Sequence, residues 1–101
     1  MKTSKENYTM VLNILQPNKM VEIRVIEVLT NLPNRVVRQA ISDIAIDYPI
    51  ISLPTEKGYM RIDATLENKD AIIEHQIADY NSRIKRLNER ITQLEKLKRE
   101  N

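Results

Sequence analysis

Asn31-Leu32-Pro33-Asn34-Arg35-Val36-Val37-Arg38-Gln39-Ala40-Ile41-Ser42-Asp43-Ile44 is the stretch on which the reading of this chain turns. It opens with turn residues and runs into a helical pattern. Val37, Ile41 and Ile44 recur at spacings of four and three, so a helix over about residues 35–46 buries one face. Asn34 stands where its side-chain oxygen can accept from the free amides of the first turn, the position of an N-cap. Arg35, Arg38, Gln39 and Ser42 then share the outward face. Asp43 and Asp47 lie towards the C-terminal end and, with no His or Cys beside them, read as surface charge.

Working outward, every flanking segment is marked off by proline. Pro17 ends a first helix over about residues 6–15, whose stripe is Tyr8, Val11, Leu12 and Leu15. Met20-Val21-Glu22-Ile23-Arg24-Val25-Ile26-Glu27-Val28-Leu29 fits two patterns. Its β-branched residues and the alternation at Glu22 and Arg24 suit a strand. Ile23, Ile26 and Leu29-Thr30 suit a helix over about residues 23–30, which is the favoured reading. Beyond Pro49, Ile50-Ile51-Ser52-Leu53 and Tyr59-Met60-Arg61-Ile62 are two short strands around Pro54-Thr55-Glu56-Lys57-Gly58. Gly58, the only glycine, stands where such a loop most often needs positive φ.

Three helices followed by a hairpin resemble the winged-helix family over residues 6–62, and most closely its small phage-type and bacterial regulators. The segment Leu32 to Ile41 is similar to that family's turn and recognition helix. Lys57-Gly58-Tyr59-Met60 is similar to the aromatic strand that closes its wing. Where the family usually has glycine in the inter-helix turn, this chain has Leu32-Pro33. The resemblance implies an α+β, mostly α fold: a winged helix-turn-helix in residues 1–66, with double-stranded DNA as partner. The residue chemistry is compatible with that. A helix fits the major groove, where arginine pairs with guanine and glutamine with adenine through two hydrogen bonds. Arg35, Arg38 and Gln39 are therefore the candidate base readers. Asn34, Ser42, Lys57, Arg61 and Lys19 are the candidates for phosphate or groove contacts. Winged helices also serve as protein-binding modules, so an interaction or inhibitor protein, such as a phage protein acting against host defence, is the alternative.

After Leu66 there is neither Pro nor Gly, and residues 67–101 read as one helix. Ile73, Ile77, Tyr80, Ile84, Leu87, Ile91 and Leu94 step alternately by four and three, a heptad seam lasting three repeats. With Ile77, Ile84 and Ile91 at a and Tyr80, Leu87 and Leu94 at d, the pattern favours two parallel strands. Arg90 at g and Glu95 at the following e can pair between chains. Lys98 at the next a site weakens the last turn. An antiparallel pair or a higher oligomer is the other arrangement open to such a seam, and a coiled-coil adaptor is a third functional class. The expectation is a homodimer held by this helix.

Composition narrows the rest. The 101 residues allow one compact domain and one appended element. Four Tyr with no Phe or Trp leave the core to Ile, Leu, Val and Met. No cysteine means no disulfide, thiolate zinc site or cysteine nucleophile. His75, the only histidine, falls at an outward heptad position. No phosphate loop, Ser-His pair or metal motif is present, so the expectation is a non-enzyme without cofactor or metal. With no apolar run of about 20 residues, no membrane partner is expected and the cytoplasm is the expected compartment. The net charge of +2 is spread evenly, with eight basic and seven acidic residues on either side of Leu66. Bulk charge therefore does not point to nucleic acid, and the case for it lies in where the charges sit.

Overall fold

The computed structural model describes residues 3–100. The chain divides between Lys69 and Asp70 into two compact units. The first is built from α1 (Lys5–Ile14), β1 (Met20–Glu22), α2 (Ile23–Thr30), α3 (Asn34–Asp47), β2 (Ile50–Leu53) and β3 (Gly58–Arg61). A 3-10 turn, Pro54–Glu56, joins β2 to β3. The second unit is essentially one helix, α4 (Lys69–Arg99). About two thirds of the described chain is helical, with one small antiparallel sheet.

Each helix of the first unit contributes one apolar stripe to a common core. Ser4 starts α1 by accepting from the Asn7 amide at 3.2 Å, and Val11 and Leu15 turn inward from it. Ile26 comes from α2, and Val37, Ala40, Ile41 and Ile44 from α3. Ile50 of β2 closes the cluster, while Tyr8, Leu12, Ile23 and Tyr59 pack around its edge. The inward face expected for α3 is thus the one buried, with Ala40 added. The α2–α3 turn is set by Asn31, which takes a left-handed φ of 57° and ends α2. Thr30 closes back on the Ile26 carbonyl at 2.6 Å and receives the Leu32 amide.

Asn34 does not cap α3. Pro33, extended at φ −63°, ψ 154°, occupies the N-cap position, and Asn34 is already the first helical residue. Its side chain is turned away from the helix amides towards α2.

The segment that fits two patterns contains both elements in succession. β1 spans three residues and runs directly into α2. It adds to the hairpin as a third strand, giving the sheet order β1-β3-β2. Glu22 sits opposite Gly58, and Leu53 sits opposite the same glycine on the other side. The structure therefore corrects the role given to Gly58. The left-handed residue of the hairpin turn is Lys57, at φ 52°, and Gly58 is part of β3. What position 58 requires is the absence of a side chain: a Cβ there would lie 2.5 Å from the Val21 carbonyl oxygen and 3.0 Å from Met20 Sδ. The glycine admits β1 to the sheet.

Asp43 and Asp47 also do more than carry surface charge. Asp43 Oδ2 accepts the Thr3 amide at 2.8 Å, and Asp47 Oδ2 accepts the Tyr8 hydroxyl, so both tie the N-terminal segment to α3. The Thr3 amide holds the Asp43 carboxyl below the usual aspartate range, helped by the Gln39 side chain. Asp63 is held low too, by the Thr65 hydroxyl and the Asn18 amide. The hydrogen bond to Asp47 pushes the Tyr8 phenol up to about 12. The signs follow from linkage. The two lowered carboxyls contribute stability above about pH 4 that is lost as pH falls through their folded values. The Tyr8 phenol contributes stability below about pH 10 that is lost as pH climbs towards 12. Thermal unfolding against pH should therefore show a plateau with an acid limb, and Asp43→Asn should flatten that limb. An acid limb unchanged in the variant would show that the Thr3 contact is inconsequential.

No helix among the described residues is long and apolar enough to cross a membrane.

Candidate nucleic-acid interface

The order of buried and exposed positions sorts α3 into flanks. Arg35, Arg38 and Ser42 are exposed on the side opposite the core, over the first two to three turns. Arg38 Nε donates to Asn34 Oδ1 at 2.7 Å, and Asn34 Nδ2 donates to Glu27 Oε1 on α2 at 2.7 Å. This chain of three side chains links the two helices and fixes the stem of Arg38. Arg35, one residue along from Asn34, extends into solvent. Gln39 departs from the expected arrangement. It is half-buried and donates to Asp43 Oδ1 at 3.2 Å, on the flank of α3 that carries the contact to Thr3. A side chain held there is turned away from the apex that Arg35 and Ser42 occupy.

The β2–β3 hairpin supplies a second cluster. Ile23, the first residue of α2, donates its amide to the Lys57 carbonyl at 3.0 Å, so the hairpin turn sits against the N-terminus of that helix. Lys57 and Arg24 line one cleft there, with Met20, Glu22, Ile23 and Thr55. Arg24 was not among the sequence candidates. It is highly exposed and only 3.6 Å from Glu22, a weak surface pair. Its proximity to Lys57 is visible only once Glu22 is known to lie opposite Gly58. Because Glu27 is three residues beyond Arg24, the two share one side of α2. The polar surface thus runs from Lys57 and Arg24 through Glu27 and Asn34 to Arg38. It carries cations at both ends and two acids, Glu22 beside Arg24 and Glu27 in the middle.

The remaining candidates make contacts of their own. Arg61 is half-buried, its guanidinium 5.3 Å from the centre of the Tyr48 ring, in a groove with Pro17, Pro49, Ile62 and Asp63. Lys19 is exposed near the end of the loop after α1, and its Nζ reaches Gln16 Oε1 at 3.5 Å.

Two apolar surfaces are left bare. On α2, Val25, Val28 and Leu29 face outward, with Val28 80% and Leu29 66% exposed. On α4, the seam residues Ile77, Tyr80, Ile84, Leu87, Ile91 and Leu94 are all exposed, and Ile73 is half-buried. The helix is braced along its outside by the Asp79–Arg83 pair at 2.9 Å and the Glu95–Arg99 pair at 3.9 Å. Arg83 also lies over the Tyr80 ring. No protein-family model, curated protein or solved structure matches the chain.

Proposed function

We propose that this chain is a dimeric DNA-binding protein of winged-helix type, acting as a small transcriptional regulator or replication accessory factor. The observation that carries the reading is the pair Arg35 and Arg38 on the exposed first turns of α3, with Arg38 braced through Asn34 by Glu27. Early residues of such a helix are those that meet base edges when it enters a major groove. The order of helices and strands and the third strand pairing beside the wing support the same reading. Lys57 and Arg24 would meet the flanking backbone, and Ser42 would reach a phosphate or base edge. The α4 seam would join two copies, offering one α3 to each half-site.

The test is a fluorescence-anisotropy titration of a mixed-sequence duplex at low and moderate salt. Wild-type affinity should fall steeply with salt, as expected when several phosphates release counterions. The Arg35→Ala, Arg38→Ala double variant should bind at least roughly thirtyfold more weakly, about 2 kcal/mol, the scale of lost arginine–base contacts. Absence of binding at low salt would overturn the DNA reading.

A specific observation favours a second reading, a module that grips a protein. Val25, Val28 and Leu29, at three- and four-residue spacing on α2, make one exposed apolar face. A largely apolar interface would be insensitive to salt where the DNA complex is not. Arg35 and Arg38 would then be dispensable, and Val28→Ser with Leu29→Ser would abolish binding.

A further inference from the structure

The exposed seam of α4 fits a second copy of itself, and its flanking charges discriminate between the two directions in which that copy can lie. This geometry rests on the dimer reading above and specifies it further. With Ile77, Ile84 and Ile91 at a, the g column reads Gln76, Arg83, Arg90 and Leu97, and the e column reads Glu74, Asn81, Asn88 and Glu95. The g column holds no acid. In a parallel pair each g residue faces the e residue five positions on in the other chain. Arg90 then meets Glu95 of the second copy twice and Arg83 meets Asn88, while Gln76 is already buried in the single chain. No like charges oppose.

Reversing one helix brings g against g and e against e. The register that seats Ile77 on Leu94 and Ile84 on Leu87 sets Arg83 against Arg90 twice, and Glu74 against Glu95 twice. Sliding by one heptad in either direction puts Arg83 or Arg90 against its own copy. Slides beyond that leave most of the apolar seam without a partner. Within its own helix Arg83 is paired with Asp79 at 2.9 Å, and Glu95 more loosely with Arg99 at 3.9 Å. Arg90 has no such acid, its neighbours three and four residues away being Arg86, Leu87, Gln93 and Leu94.

We propose that α4 pairs with a second α4 in parallel and in register, and that Arg90 is the residue that sets this direction. A parallel pair holds the two Lys69 ends about 10 Å apart, the spacing of packed helices. The full antiparallel register would separate them by about 50 Å at 1.5 Å per residue. Both N-terminal units are then tethered to one end of the coil, the arrangement that adjacent half-sites need.

Reversing the charge at Arg90 inverts both comparisons. In Arg90→Glu the introduced carboxylate faces Glu95 twice in the parallel pair. In the antiparallel pair the same carboxylate meets Arg83 twice, turning a repulsion into an attraction. The full-length chain has no cysteine, so single cysteines report direction cleanly. Leu94→Cys cross-links to its own copy only in a parallel pair. A mixture of Ile77→Cys and Leu94→Cys chains, distinguished by a mass tag, cross-links heterologously only in an antiparallel one. We expect self-cross-linking at position 94 in the wild-type background. In the Arg90→Glu background it should fall by roughly tenfold or more, a factor within reach of four reversed surface pairs, with the heterologous product rising in its place. Heterologous cross-links in the wild-type background, or self-cross-linking that survives Arg90→Glu unchanged, would overturn the assignment while leaving the dimer intact. Sedimentation equilibrium separates the two failures: a monomer at all concentrations refutes the dimer reading itself, and a trimer refutes the two-stranded form.

Discussion

Ile44→Ala is expected to remove most of the stability of the N-terminal unit. Ile44 is fully buried in the last third of α3, in one cluster with Val11, Leu15, Ile26, Val37 and Ile41. Helices α1, α2 and α3 all meet in that cluster, so none of them can close the space by moving alone. Deleting three carbons from such a site typically costs about 3 kcal/mol, part lost burial and part residual cavity. A unit of this size holds only about 3–10 kcal/mol in total. Hydrogen exchange read by mass spectrometry resolves the outcome by segment. Peptides of α1 to β3 should lose protection together, since they share one core, while the middle of α4 should be unaffected. A loss confined to α3, or a shift below about 1 kcal/mol, would show that the cluster is looser than the packing indicates.

The second large effect belongs to α4. Leu87 is a d residue at the centre of the seam, exposed in the single chain and, in the proposed pair, buried against its own copy. Leu87→Lys removes two leucine burials, about 1.5–3 kcal/mol each, and opposes two ammonium groups in the same layer. The dissociation constant of the pair should rise about a thousandfold, equivalent to about 4 kcal/mol. Analytical ultracentrifugation measures this directly. On the proposed DNA reading, affinity for DNA should fall with it, because a monomer would engage one half-site where a dimer would engage two. Hydrogen exchange in the N-terminal unit should not change. A variant that retains the wild-type dimer mass would remove the seam from consideration as the interface.

What was legible in the sequence was the part governed by local rules. The outlines of α1, α3, the hairpin and α4 follow from proline positions and from periodicity, both of which act within a few residues. The inward face of α3 followed for the same reason. The features that escaped depend on specific side-chain and strand contacts, several of them distant in the chain. β1 is three residues long, too short for alternation to declare it, and its partner lies almost forty residues further on. Asn34 has a good capping side chain, but Pro33 already holds the cap position and Glu27 offers the better partner. Gln39 lies one turn before Asp43 and is drawn off the outward face by it, and Asp43 in turn is anchored by Thr3, forty residues away. The candidate site was therefore half visible. Arg35, Arg38 and Ser42 are where periodicity put them, whereas Arg24 joins Lys57 only through strand pairing. Lys19 and Arg61 are engaged with other neighbours, Lys19 with Gln16 and Arg61 with the Tyr48 ring, contacts that periodicity does not encode.

Gly58 has a consequence for how this fold can vary. In the turn before it, Pro54 and Thr55 are exposed and their side chains can vary. Position 58 cannot, because a backbone oxygen of β1 occupies the space any side chain would need. Positions 20–22 and position 58 are thus a single heritable trait: a descendant that lost the short strand could admit any residue at 58, and one that kept it could admit none but glycine. In a lineage of such chains, that one glycine would trace the third strand more faithfully than the strand's own three residues.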